Sequence, residues 1–136
     1  EKEQKVLDIG GGTGISSEII DAELTILEPS KEMISAGKKR RSFNSINAEA
    51  ESIKELFNED EFDYSICITV AHHFHNMGKV IEGLKKVNKF DADIVFSLLK
   101  RSDKTSFISE ELIKNFEFKK EVEDQMDIIL FFKNKK

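Results

Sequence analysis

Short β-branched runs and helical patterns alternate along this chain, and that alternation restricts the fold more than any other feature. The apolar segments at residues 5–9, 23–27, 43–48, 62–70 and 93–99 read as strands. Between them, residues 15–21, 30–39, 52–57 and 77–89 read as helices; in the last of these Val80, Ile81, Leu84 and Val87 recur at three-to-four spacing. Such alternation implies a parallel sheet with crossover helices on both faces. A further helix is expected near residues 109–114, leading into FEFKKEVED and MDIILFF. The break between those two strand-like runs is too short for a crossover, so they pair antiparallel at the end of the sheet. At 136 residues the chain has length for one core and not for two, so a single domain over residues 1–136 is expected.

Composition narrows the setting. Lys plus Arg number 21 against 26 for Asp plus Glu, and a net charge of -5 supplies no overall attraction to polyanions or acidic membranes. Cys67, the one cysteine, has no internal partner for a disulfide. No apolar run approaches the roughly 20 residues that cross a bilayer, so no membrane partner and a cytoplasmic setting are expected.

The stretch VLDIGGGTG, residues 6–14, then gains a place. Gly10, Gly12 and Gly14 follow a strand and open an expected helix, where a missing Cβ lets a ligand approach the backbone and helix-end N–H groups face it. The spacing discriminates among cofactors. A dinucleotide turn, G-x-G-x-x-G, set on Gly10 needs glycine where Ile15 stands, and set on Gly12 needs it where Ser17 stands. A nicotinamide-dependent oxidoreductase therefore fits poorly. A phosphate-binding Walker loop would need G-K-[ST], which is absent.

What stands instead is Asp8-Ile9-Gly10-Gly11-Gly12-Thr13-Gly14, which resembles the first motif of the class I S-adenosylmethionine-dependent methyltransferases. LTILEPSKEM, with Glu28, Pro29, Ser30 and Met33, is similar to the family's second motif and its ribose-binding acid. INAEAESI resembles the third, with Asn47 where an aspartate is common and Ala48 beside it. FDYSICITVAHHF, which includes Thr69, resembles the fourth. The resemblance implies a three-layer αβα Rossmann-like sandwich of seven strands in order 3-2-1-4-5-7-6 with strand 7 antiparallel; the helices that the family commonly has before the first strand are not expected here, where that strand begins at about Lys5. It implies S-adenosylmethionine as cofactor, held by Asp8, Gly10, Gly11, Gly12, Gly14, Glu28, Pro29, Met33, Asn47, Ala48 and Thr69.

The residues support the same placement physically. In an open parallel sheet ligands bind beyond the carboxyl ends of the strands, and each of these segments lies at such an end. Glu28, about 20 residues past the start of the glycine run, can accept both hydrogen bonds of a ribose diol. Met33 suits an adenine face or ordinary core, and Asn47 offers the adenine edge a donor and an acceptor. By resemblance Asp8 helps hold the methionine amino group, with turn capping as its alternative.

Methyl transfer from a sulfonium is an in-line displacement governed by approach and alignment, and needs a base only when the acceptor is protonated. His72, His73 and His75 follow the fourth strand, and of the three His73 is the candidate catalytic residue. Each can alternatively pack against the glycine turn or face water. The run Lys38-Lys39-Arg40-Arg41 is either an RNA phosphate contact or a solvated helix end. With residues 100–109 as the only free connection after the fifth strand, little material covers an acceptor. A macromolecular acceptor such as tRNA, a second subunit, a second copy or a preceding segment is therefore expected to complete the site. The rival from another class is a catalytically silent relative that uses the fold as a binding or regulatory subunit.

Overall fold

The computed structural model describes residues 3–14 and 17–135. Seven strands, β1 (Lys5–Ile9), β2 (Glu23–Leu27), β3 (Asn44–Ile46), β4 (Phe62–Ile68), β5 (Asn88–Leu99), β6 (Glu117–Glu123) and β7 (Asp127–Lys133), form one sheet in the order β3-β2-β1-β4-β5-β7-β6. The first five run parallel to one another, and β7 runs antiparallel to both β5 and β6. The helices are α1 (Lys31–Lys38), α2 (Ile53–Leu56), α3 (Met77–Val87) and α4 (Thr105–Asn115). Among the described residues no helix is long and apolar enough to cross a membrane.

Alternation along the strands divides the apolar residues between the faces. Leu7, Ile9, Leu27, Cys67, Ile94, Phe96, Leu98, Leu130 and Phe132 meet Ile53 of α2, the Val80-Ile81-Leu84-Val87 stripe of α3, and Ile108 and Leu112 of α4 in one large core. The opposite face holds a smaller cluster of Val6, Leu24 and Ile26, flanked by Phe43 and Tyr64. Two buried asparagines brace the far end of the sheet. Asn88 accepts from Ser65 Oγ (2.9 Å) and donates to the Leu84 carbonyl, while Asn134 Nδ2 donates to the Asn88 carbonyl at 3.0 Å. This bracing ends α3 at Val87 and starts β5 at Asn88, earlier than residue 93 as the apolar pattern predicted.

Two expected helices differ. Over the described residues 17–21 no helix forms: residues 17–19 are turn, and residues 15 and 16 of the expected helix lie outside the described residues. The apolar periodicity there was misleading, since Ile19 stands 94% exposed, and so short a segment has little helical stability of its own. The helix expected near 109–114 begins four residues earlier, at Thr105, whose hydroxyl donates to the Leu99 carbonyl and anchors the helix to the end of β5.

Helix α1 sets the shape of the loop after β1. Its N-cap Ser30 accepts the Met33 N–H at 3.2 Å, and at its other end Gly37 packs directly on that loop. A Cβ built on Gly37 would stand 2.2 Å from the Thr13 carbonyl oxygen. Gly37→Ala is therefore expected to destabilise the fold by about 1 to 3 kcal/mol, although alanine is the better helix former. Denaturant unfolding checks this; an unchanged or raised midpoint would contradict the packing described.

Candidate functional site

The ends of β1, β2, β3 and β4 converge on one cleft. Gly10 donates its N–H to the Leu27 carbonyl (2.7 Å), which turns the chain sharply after β1. Gly10 and Gly12 have φ of +68° and +59°, a region costly for side-chain-bearing residues. A methyl on Gly10 would also meet Val70 Cγ2 at 2.7 Å.

Glu28 reaches back from β2 to this turn. Its Oε1 accepts the Gly12 N–H at 2.8 Å and its Oε2 accepts the Ser30 N–H at 2.9 Å, although the residue is only 7% exposed. Each carboxylate oxygen retains capacity to accept a further hydrogen bond. Glu28, Gly10 and Pro29 line a cleft of about 180 Å³ together with Leu27, Val70 and His73. Glu49, Ala50 and Phe74 complete its wall.

The remaining expected residues take different positions. Met33 is exposed on α1, not core, and its Cε lies 2.8 Å from where a Cβ on Gly12 would stand. Asn47 Nδ2 donates to the Glu28 carbonyl at 2.9 Å, which commits one of its amide hydrogens to tying the β2 and β3 ends together. Ala48 packs partly buried against the main core. Thr69 has φ of +55°, a strained setting for a β-branched residue, held by its N–H on the Ser97 carbonyl and its hydroxyl against Ser97 Oγ at 3.1 Å. Gly14 lies buried behind the turn, and a Cβ on Gly11 would stand 2.7 Å from Asp8 Oδ2.

Asp8 is the electrostatic centre. It is 1% exposed, and its Oδ2 has no hydrogen-bond partner among the described residues. Burial pushes its carboxyl up from 3.8 to about 6; Ser17 and Arg41 pull the other way, and Glu28 adds to the rise. A buried, unpartnered acceptor beneath a bare glycine turn is chemically suited to a cationic donor.

The basic run divides. Arg40 pairs with Glu18. Arg41 turns inward, donates to the Gly14 carbonyl at 2.8 Å and packs over the Phe43 ring at 5.7 Å. Sequence reading missed Arg41 as a support of the glycine turn, because nothing in a run of four cations marks the one that points inward. It also missed Glu49, Ala50, Val70 and Phe74, although their places just past β3 and β4 were a usable signal.

Of the histidines, His73 is exposed and lines the cleft. The half-buried His72 ring lies tilted against it, centroids 4.0 Å apart, and His72 is held below its ordinary value by burial, then by His73 and Lys104. The backbone N–H groups of His75 and Asn76 donate to Glu51 at 2.6 and 2.9 Å, away from the cleft. Burial and the Asp8 charge raise the Cys67 thiol well above its ordinary value, so it is an inert core residue.

A family model described as Methyltransferase domain matches residues 7–96. No curated protein matches the chain in sequence. Among solved structures, the PH0226 protein of Pyrococcus horikoshii OT3 is 18% identical with a TM-score of 0.84, over 98% of this chain and 83% of that one. The N-methyltransferase NodS of Bradyrhizobium japonicum WM9 is 16% identical with a TM-score of 0.79, over 98% of this chain and 87% of that one. A SAM dependent methyltransferase from Aquifex aeolicus is 16% identical with a TM-score of 0.76, over 96% and 82%.

The state of Asp8 has a measurable consequence. Because its folded value is raised, its contribution to stability is fully present below about pH 3.8 and is lost as pH rises through about 6. Asp8→Asn is therefore expected to gain stability relative to the parent as pH rises from 4 to 7, by an amount of order 3 kcal/mol. Parallel unfolding series at several pH values check this; a difference independent of pH would contradict the burial described.

Proposed function

Because the chain belongs to the methyltransferase-domain family, whose methyl donor is S-adenosylmethionine, we propose that it transfers that methyl group to an acceptor beside the β4 end. The single observation that carries the site assignment is the pairing of the unpartnered Asp8 Oδ2 with the glycine turn that Glu28 holds open.

The residues present fit the cofactor. Asp8 offers a buried anionic acceptor to an ammonium, and Gly10 brings bare backbone to the cleft wall in a turn where a Cβ on Gly10 or Gly12 would clash with Val70 or Met33. Glu28 keeps acceptor capacity for a ribose diol while its N–H partners fix the carboxylate in place. Pro29, Glu49 and Ala50 supply the walls for the base. Asn47, with one hydrogen on the Glu28 carbonyl, retains a second donor and its carbonyl. Thr69 and Gly14 act by shaping the strand ends, and Met33 covers the turn from outside.

When bound, S-adenosylmethionine would supply an electrophilic sulfonium methyl, open to in-line displacement by an acceptor's lone pair with the sulfide as leaving group. His73, exposed on the cleft wall, is the residue positioned to accept a proton or orient the acceptor. The commitments of Arg40 and Arg41 leave little of the basic run for an RNA backbone.

Titration with S-adenosylhomocysteine tests the reading. Binding is expected, and Glu28→Ala is expected to weaken it by about 1.5 to 3 kcal/mol, a ten- to hundredfold loss. Wild-type affinity should also fall as pH drops below about 6, where Asp8 gains its proton. A folded Glu28→Ala variant that binds like the parent would overturn the assignment.

A further inference from the structure

We propose that a second pocket, between the 3-10 turn Ala71–His73 and the first turn of α4, holds the methyl acceptor, and that this acceptor is a small, uncharged, ring-sized apolar molecule. The inference rests on the cofactor reading above. The pocket has a volume of about 370 Å³, and Ala71, Phe74, Met77, Phe107 and Ile108 form its apolar lining. That volume lies within the roughly 300 to 1,000 Å³ of sites that enclose small molecules.

Its position relative to the cofactor cleft comes from the turn after β4. Val70 and His73 face the cleft, Ala71 and His75 face this pocket, and Phe74 lines both. One aromatic residue is thus common to both linings, which makes the pocket the cleft's neighbour. The opposite wall is built rather than loose: Thr105 Oγ1 donates to the Leu99 carbonyl, and Lys104 Nζ donates to the His72 carbonyl at 3.0 Å. These two bonds join the α4 start to the end of β5 and to the 3-10 turn. The pocket uses residues 103–108, the material that the sequence pattern had left as an open connection.

The lining chooses the ligand class. Phe107 is 58% exposed on α4 with its ring in the pocket wall, an apolar surface that an apolar occupant would cover. Exposed Asp103 and Lys104 in the lining carry opposite charges and exposed His75 adds one polar group, so the pocket has no single sign with which to favour an anion or a cation. Recognition falls to the apolar body, with the nucleophilic nitrogen, oxygen, sulfur or carbon at the end facing Phe74.

Ligand-observed NMR on the full chain with indole and p-cresol as probes tests this, run beside calorimetry with S-adenosylhomocysteine. Both probes are expected to bind saturably. Phe107→Glu should weaken them at least fivefold, while Ile113→Glu, at a similarly exposed position on the same helix outside the pocket, should leave them unchanged. S-adenosylhomocysteine binding should be unaffected by either substitution. Absence of saturable probe binding, or equal loss in both variants, overturns the pocket. So does transfer of label from S-adenosylmethionine to RNA or protein of a cell extract with none in its small-molecule fraction. If the probes bind as expected but S-adenosylhomocysteine does not, the cofactor reading fails and not the pocket's ligand class; if S-adenosylhomocysteine binds and the probes do not, the pocket alone fails.

Discussion

The carboxylate of Glu28 joins two pieces of backbone that would otherwise be independent. One oxygen takes the Gly12 N–H and the other takes the Ser30 N–H, so the loop after β1 and the helix start after β2 share a single anionic acceptor. Charge-assisted bonds of this kind hold a turn without filling it. Helix α1, capped by Ser30, then lays Gly37 against Thr13, and Arg41 fastens the far side of the turn through the Gly14 carbonyl. The turn is thus supported from β2, from α1 and from the segment beyond it, while the surface over Gly10 stays open to the cleft.

Much of this frame was legible in the sequence because the strands are short, apolar and bounded by turn residues. β1 and β2 lie where the pattern put them, and the order of all seven strands follows from alternation, the family resemblance and one short antiparallel connection. Legibility failed where a local pattern lacked tertiary support. The 15–21 segment carries helical periodicity, but Ile19 projects into solvent and Arg41 takes the Gly14 carbonyl. At Asn88 the reverse occurred: a polar residue with no apolar signal ends a helix and begins a strand because Ser65, Leu84 and Asn134 satisfy it inside the core.

The site was legible to the same depth. Residues named from the glycine run and from the family resemblance, such as Gly10, Glu28 and Pro29, meet on one cleft. Residues whose role depends on side-chain direction were not readable in advance. Arg41 points inward and Arg40 outward from adjacent positions, and Met33 proves to cover the turn from an exposed helix face. Phe74, which lines both cavities, closes the stretch that resembles the fourth motif, but nothing in that stretch shows that it lines both.

In the proposed function Asp8 links these pieces to one ligand. A buried carboxylate with an unpartnered oxygen is costly to an empty fold, and the cost makes sense where a cationic ligand group completes it. A crystal structure of the chain with S-adenosylhomocysteine tests this most directly. The account requires the ligand's ammonium within hydrogen-bond distance of Asp8 Oδ2, or joined to it by one water, and its ribose hydroxyls on the Glu28 carboxylate. A bound ligand that leaves Asp8 unpartnered, or that lies away from the Gly10–Gly12 turn, would contradict it.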